Sequence, residues 1–499
     1  MTGGEAAGRA PLLLAAFIVF VVLATLNSAG YRYGASDQAF YVPAIRHRLN
    51  PDLYPRDAPL IVSQARLTLV DETLAAAVRL TGASLPALFA GFHVAGLALL
   101  MTAGISIGTT VYRSRWTVAA LIAALTLRHA IAETGANTLE GYFHPRQLAF
   151  ALGAWGVALF LRGRGGAAIL PIVAGASVHP TTAMWFAIWL ATAAIVLHRR
   201  LVMPAIVTCV AAAGIAAWAL TAGPVAGRLG AMDAEWLATL REKRYLFPLA
   251  WPVAIWLLNL SYPALIVWIY RRRTRAGLAT PRETGLVIGA IGLVILFLAS
   301  LPFNAAHVQL AIQVQPARIF WMLDFMATIY AVWALAEGDA VPVRPRQSRL
   351  VFAALCLIAA ARGTYIATIE FPTRPMFATG LSDSDWGRVM RWARESSPVS
   401  SHWLADPEHA LRYGTSLRVS GERDVFVEGS KDDAIGMYSR PVAMRTRDRI
   451  DEVGNFNALS PERAHALASA HDLDYLVTEQ HLELPVAFTS GPIIVYRLK

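Results

Sequence analysis

The sequence predicts a mainly α-helical, polytopic membrane protein: a transmembrane helical bundle of about eleven spans with a small C-terminal α/β domain outside the membrane. Three observations predict it. Apolar residues make up 56% of the 499-residue chain, charged residues 16%, and mean hydropathy is +0.46, a composition of integral membrane rather than soluble globular proteins. Apolar stretches recur from Pro11 to Ile369, and basic clusters occupy every second gap between them: Arg113/Arg115, Arg162/Arg164, Arg199/Arg200, Arg271 to Arg275, and Arg344/Arg346/Arg349. After Glu370 the pattern stops, and residues 380–499 carry mixed charge with Pro and Gly breaks.

The basic gaps set the orientation. Short arginine-rich loops are retained in the cytoplasm. The N-terminus is therefore expected to be cytoplasmic, and the remaining gaps, with Asp37, Glu140, His144, His179, Lys243 and His307, to face outward together with the C-terminal domain. The expected setting is a bacterial inner membrane, with any chemistry on its extracytoplasmic side. A formal charge of +10 does not imply nucleic acid here, because the basic clusters sit mostly in short inter-span loops, where orientation and anionic headgroups account for them. Membrane lipids are the expected contact. Cys209 and Cys356 lie far apart in apolar stretches without His or Cys neighbours, which supports neither a disulfide nor a metal site.

A bilayer core takes about 20 helical residues. The segments drawn on that basis are 11–27, 85–111, 116–131, 147–161, 167–178, 181–197, 202–222, 250–270, 285–301, 319–336 and 350–369. The fourth and fifth fall short of a crossing and are read as tilted, re-entrant or extended by loop residues; a re-entrant pair leaves the parity of later loops unchanged. The first is read as a retained helix rather than a cleaved signal peptide. Residues 1–370 then form the membrane domain, with a first external loop at 28–84, and 371–499 form the extracytoplasmic domain. In that domain 386–394 and 461–471 read as helices, 473–478 as a buried strand, and 487–498 as a hairpin turning at Ser490-Gly491-Pro492. It contains no Gly-rich phosphate loop, zinc spacing or nucleophile motif.

The first external loop holds the leading functional residue, Asp37, in Gly34-Ala35-Ser36-Asp37-Gln38. An acid just beyond a span can reach a lipid-linked headgroup while the lipid chains stay in the bilayer. There it can act as general base toward an acceptor hydroxyl or hold a divalent cation beside a phosphate. The bland alternative is a helix cap ahead of residues 38–48. Arg46, His47 and Arg48 follow; they fit a helix lying on the membrane surface, or, since they lie outside against the positive-inside tendency, a bound phosphate.

Further polar groups fall in the other external gaps. Glu140, His144 and Arg146 crowd one gap, with Arg146 near a helix start where it can join backbone amides in binding an anion; a polar turn in which His144-Pro145 simply begins the helix is the alternative. His179-Pro180 repeats that pair, as a functional interfacial ionisable group or a plain helix break. Residues 233–245 read as an amphipathic helix anchored at the interface. His307, Gln309, Gln313 and Arg318 occupy the next external gap, where Gln309, Gln313 and Arg318 line either a polar groove or a packing surface, and Arg318 suits a phosphate. No convincing metal-ligand spacing accompanies any of these residues.

This arrangement of many spans, an acid-bearing first loop, polar external loops and a C-terminal extracytoplasmic domain resembles the GT-C superfamily of membrane glycosyltransferases, which use polyprenyl-phosphate-linked sugars. The resemblance extends over nearly the whole chain. More narrowly it is similar to bacterial members with a Gln shortly after a Gly in the first loop and an Asp near a Leu-Tyr-Pro segment, here Gly34, Gln38, Leu53-Tyr54-Pro55 and Asp57. The resemblance implies a sugar moved from a polyprenyl-phosphate donor to an extracytoplasmic acceptor, with Asp37 as catalytic acid residue and Arg146 or Arg318 as phosphate partners. It leaves the cofactor open, with a divalent cation at Asp37 as one option. The chain departs from the family pattern where Gln38, rather than a second acid, follows Asp37. Two other readings stay open: a lipid-linked-glycan flippase or transporter, for which Asp324 is the acid placed well inside a span, and a non-catalytic membrane assembly or binding protein.

Overall fold

In a computed structural model of the chain, the structure describes residues 3–65, 68–223, 226–339 and 343–499. The side chains of Arg199 and Cys209 lie outside the described residues. Helix occupies each expected span. Among the described residues, six helices are long and apolar enough to cross a membrane: Leu85–Val111, Pro180–Leu197, Val253–Arg275, Pro281–Ala305, Gln309–Ala336 and Pro345–Glu370. Shorter apolar helices, Pro11–Asn27, Arg115–Ala124, Pro145–Leu161 and Ile169–Val178, accompany them, and Val202–Thr221 adds a 20-residue apolar helix.

The third expected span is cut short. Its helix ends at Ala124, and residues 130–131 instead pair antiparallel with 136–137 in a small hairpin. The reason lies in Arg128 and His129: Arg128 Nε donates to the Leu139 carbonyl at 3.0 Å, and His129 Nε2 meets Asp324 Oδ1 at 2.8 Å.

The Gln309–Ala336 segment is the centre of the bundle: 78% of its apolar window is buried, against 17–44% for the other five long helices. Trp321 of this segment stacks on Phe150 with ring centroids 4.1 Å apart. Close helix approach elsewhere relies on small residues. A Cβ on Gly289 would lie 2.7 Å from the Trp189 carbonyl oxygen, so the Pro281–Ala305 and Pro180–Leu197 helices meet at a separation only glycine allows there.

The arginine-rich gaps also carry structural arginines. Arg273, within the 271–275 cluster assigned to orientation, is buried, bonds both Glu283 carboxylate oxygens (2.8 and 3.1 Å), and lies over the Trp333 ring at 4.8 Å. Glu283 also closes the capping box of its own helix with Thr280.

The C-terminal domain is built on a five-stranded sheet in the order Asp424–Val425, His402–Ala405, Tyr475–Thr478, Ile493–Arg497, Val486–Ser490. The first two pairings are parallel and the last two antiparallel. Helices Asp385–Ser396 and Pro461–His471 flank it, with apolar residues such as Trp386, Leu404, Leu467 and Val495 filling the space between.

This domain is docked on the first loop. Residues 31–32 pair in parallel with 377–378. Tyr54 donates its hydroxyl to the Arg418 carbonyl at 2.7 Å, and buried Asp57 accepts from Arg418 Nε (2.8 Å), from the Val425 amide (3.0 Å) and from Arg445. The Gln38–Leu49 helix is consequently packed rather than laid on a membrane surface: Val42 and Ile45 are fully buried, Arg46 pairs with Glu422 and Arg48 with Asp71 and Glu72. The amphipathic segment at 233–245 likewise packs its apolar face on the C-terminal domain. Its helix, Ala234–Leu240, buries Trp236, whose indole N–H donates to the Gly436 carbonyl of the C-terminal domain at 2.8 Å.

Candidate functional site

Between the end of the bundle and the docked domain lies a cavity of about 590 Å³, a size suited to a small-molecule ligand. The end of the first helix, the first loop, the 128–146 loop, His179, Tyr245, the turn before the central helix, the end of the last long helix and the 434–438 segment all contribute to its walls. The loop at 140–142 reaches the first helix closely because Gly141 has no side chain; a Cβ there would lie 2.5 Å from the Ser28 carbonyl oxygen.

Asp37 occupies the N-cap position of the Gln38–Leu49 helix, but its side chain makes no cap bond. It turns instead to the cavity, where Oδ2 meets His144 Nε2 at 3.1 Å and Oδ1 lies 3.4 Å from Lys431 Nζ. The residue before it, Ser36, holds a left-handed backbone (φ 51°), a conformation that non-glycine residues adopt at a cost.

His144 does begin its helix, as the bland reading expected, and more than that. Its Nδ1 accepts the Arg146 backbone N–H at 3.1 Å, so the neutral ring carries its proton on Nε2 and donates it to Asp37. Burial, followed by the charge of Arg146, lowers the His144 pKa, which keeps the ring neutral at pH 7. Asp37 is held well below the usual carboxylate range: burial opposes ionisation but is outweighed by the His144 hydrogen bond and the charges of Lys431 and Arg146. With His144 neutral, the hydrogen bond and Lys431 are the physical source of that shift.

His179 repeats the device. Its Nδ1 caps its helix by accepting from the Thr182 amide at 3.3 Å, and its ring lies 6.3 Å from that of His144, edge to face. Nε2–H therefore remains a donor at the cavity wall.

Arg146 is buried. It pairs with Glu140 and donates Nη1 to the Gly135 carbonyl at 2.8 Å, while its Nε has no partner. Arg318, from the turn after Gln315 (φ 49°), lines the same cavity with no carboxylate partner among the described residues, and its Nε is buried without a hydrogen bond. Tyr41, Tyr245 and Tyr438 surround this pair; burial raises all three phenols, Tyr245 to about 12, so they remain protonated donors.

Asp37, Glu140, His144, Arg146, His179 and Arg318 thus line one cavity. The other residues singled out in the sequence lie elsewhere. Gln38 is fully buried, accepts from the Gly34 amide and donates to the Phe143 carbonyl at 3.0 Å, fixing the Asp37 loop against the His144 loop. Asp57 belongs to the docking contact described above. Arg46 pairs with Glu422, and His47 bonds the Leu53 carbonyl through Nδ1 at 2.9 Å. His307 is exposed in a turn. Gln309 bonds Gly230 through its backbone, and Gln313 bridges Arg228 and the Met437 carbonyl. Residues the sequence did not flag complete the site: Arg32, Tyr41, Arg128, Tyr142, Tyr245, Arg362, Arg374 and Tyr438 in the wall, and Lys431 on Asp37. Lys431 comes from the docked domain, more than 390 positions away, where no local motif marks it.

The donor set does not suit a divalent cation at Asp37. Among the described residues no three His, Cys, Asp or Glu side chains converge, and the Asp37 carboxylate already faces the Lys431 ammonium. Glu140 is committed to Arg146.

No family model matches the chain, and no curated protein matches it. Among solved structures, the chain is similar to the apo form of the Archaeoglobus fulgidus oligosaccharyltransferase, with a TM-score of 0.45 and 13% sequence identity, covering 93% of this chain and 69% of that one.

Proposed function

We propose that this membrane protein is a glycosyltransferase that moves a sugar from a polyprenyl-phosphate donor to a hydroxyl group of an extracytoplasmic acceptor. The observation that carries the reading is the pairing, across one cavity, of an ionised carboxylate, Asp37, with an arginine that has no carboxylate partner, Arg318. A buried guanidinium without a counter-ion is costly, and a phosphate from the membrane-held donor supplies that counter-ion.

In the transfer, the acceptor oxygen bonds to the anomeric carbon of the sugar while the bond from that carbon to the phosphate oxygen breaks. The bonding pair leaves with the polyprenyl phosphate, and the acceptor proton passes to Asp37. Charge therefore builds on the phosphate, where Arg318, the unbonded Nε of Arg146 and the Nε2–H of His179 can meet it. A carboxylate with so low a pKa is a weak base toward a free hydroxyl. It orients the acceptor first and takes the proton late, once the new bond has made the hydroxyl acidic.

A transporter reading loses its main support because Asp324, the acid inside a span, is bonded to His129. The test is transfer from labelled decaprenyl-phosphate sugars by full-length Asp37→Asn and Arg318→Gln proteins. Asp37→Asn should lower kcat by about a hundredfold or more, and Arg318→Gln should weaken donor binding. Unchanged transfer by Asp37→Asn returns the chain to the non-catalytic reading.

A further inference from the structure

Six arginines line the cavity, and they fall into two groups. Arg146 and Arg318 line the cavity wall shared with Asp37, where the two like charges act on each other. Arg32, Arg128, Arg362 and Arg374 line the rest of the wall with Glu370; the charge of Arg374 acts on Arg32, those of Arg128 and Glu370 on Arg362, and that of Glu370 on Arg374, whose guanidinium lies 3.7 Å from the centre of the Phe371 ring. Tyr142 stands between the groups, next to Arg32 on one side and to Asp37 and Arg146 on the other.

The second group is under-neutralised. None of its four arginines forms a salt bridge among the described residues, and Glu370 is the one carboxylate set among them. Two are partly engaged: Arg128 Nε donates to the Leu139 carbonyl, and Arg362 Nη1 donates to the backbone and side-chain oxygens of Asn27 at 3.0 and 2.8 Å. Arg32 Nε is buried with no hydrogen bond. Each guanidinium has five N–H donors, and among the described residues protein acceptors engage few of them. Four like charges around one carboxylate repel one another unless an anion joins them.

The position of the group indicates how that anion arrives. Glu370 and Phe371 close the last long apolar helix, where Tyr365 and Ile369 are 57% and 65% exposed. The second arginine group therefore lies where a lipid headgroup can enter while its chains stay outside. Planar guanidinium forks match phosphate oxygens in a bidentate manner.

We propose that Arg32, Arg128, Arg362 and Arg374 form a second phosphate-binding subsite, separate from the one beside Asp37, which takes a further phosphate on a membrane-held substrate. The role of the first phosphate rests on the function proposed above. The further phosphate at the second subsite is either borne by an acceptor lipid or is the lipid-side phosphate of a diphosphate donor, and the two sources are separable by experiment.

The probes are decaprenyl phosphate, decaprenyl diphosphate and phosphatidate, each titrated against purified full-length protein with binding read by native mass spectrometry. The variants are Arg32→Gln/Arg374→Gln and, in case the pair fails to fold, Arg374→Gln alone. The expected result is that decaprenyl phosphate binding stays within about twofold, while binding of the diphosphate or of phosphatidate falls by about tenfold or more. Loss of diphosphate binding assigns the subsite to the donor, and loss of phosphatidate binding assigns it to a second lipid. Unchanged affinity for all three probes overturns the proposal, as does an equal loss for all three. Arg318→Gln separates the two readings: if it leaves decaprenyl phosphate binding intact while the Arg374 variants act as expected, the phosphate contact proposed beside Asp37 fails and the second subsite stands.

Discussion

His144 holds its two ring nitrogens in opposite service: Nδ1 accepts the backbone N–H of Arg146 at 3.1 Å, and Nε2 donates to Asp37 at the same distance. The helix start thereby selects the tautomer that presents a proton to the carboxylate. His144→Gln, whose amide can still donate, should retain more transfer activity than His144→Ala, and both should lower kcat more than they raise KM. Steady-state kinetics with the conservative variant as the rescue arm measures this. Equal kcat for the alanine variant and the unmodified protein would remove His144 from any role in orienting Asp37.

Asp57 clamps the first loop to the C-terminal domain. It is fully buried and bonded to Arg418, Arg445 and the Val425 amide. Removing one member of a buried ionic group leaves uncompensated charge. Asp57→Ala should cost about 3 kcal/mol of stability and open the 371–499 domain to protease, while activity per folded molecule changes little. Part of the charge on Arg418 stays matched by Asp432 and Glu428, so the loss should be smaller than for Arg418→Ala. Limited proteolysis of the detergent-solubilised protein reads both effects.

Much of the site was legible in the sequence because local signals marked it. Asp37 follows the first helix, and His-Pro pairs announced two helix starts. Arg318 stood at the entrance of the central span. What stayed hidden depends on long-range packing. Asp57 read as an acid of the first loop near Leu53-Tyr54-Pro55, yet it is held in a contact with residues more than 360 positions distant. Lys431 lies in a helix with no motif. The arginines of the second group were hidden for a different reason: Arg128 and Arg362 lay within segments drawn as spans, and Arg32 was one cation in a polar loop. Arginine content separates the loops but does not single out Arg273, whose partner Glu283 lies in the first turn of the next helix.

The C-terminal sheet gives a pH dependence of definite sign. Burial pushes His402 down to about 4 from its ordinary value near 6.5. Nδ1 bonds the His471 carbonyl and Nε2 is buried without a partner, so a proton added at Nε2 finds no acceptor. The unfolded chain takes up that proton first as pH falls, and stability present above 6.5 is lost progressively toward 4, on the order of 3 kcal/mol. Asp424 works against this trend: burial and the charge of Asp57 push it up to about 6, so its contribution weakens as pH rises through the same window. Melting curves of the unmodified protein and His402→Gln between pH 4 and 7 should therefore converge at the acid end, and a constant separation would rule out His402 as the source.

Lys431 brings the docked domain into contact with the Asp37 carboxylate. Its ammonium lies 3.4 Å from Oδ1 and 5.7 Å from the centre of the Phe40 ring. Burial alone would raise the Asp37 pKa; the His144 hydrogen bond and the Lys431 charge reverse that direction. Removing the charge in Lys431→Met should move Asp37 back up, and the acid limb of kcat/KM with it, since in the proposed transfer the carboxylate is ionised when it receives the acceptor proton. Lys431→Arg should keep the original profile. A residue that merely holds the domain in place would lower activity at every pH alike, whereas the loss of a charge beside the base moves the limb along the pH axis. The profile of Lys431→Met therefore decides between the two roles, and an unmoved acid limb would confine Lys431 to packing.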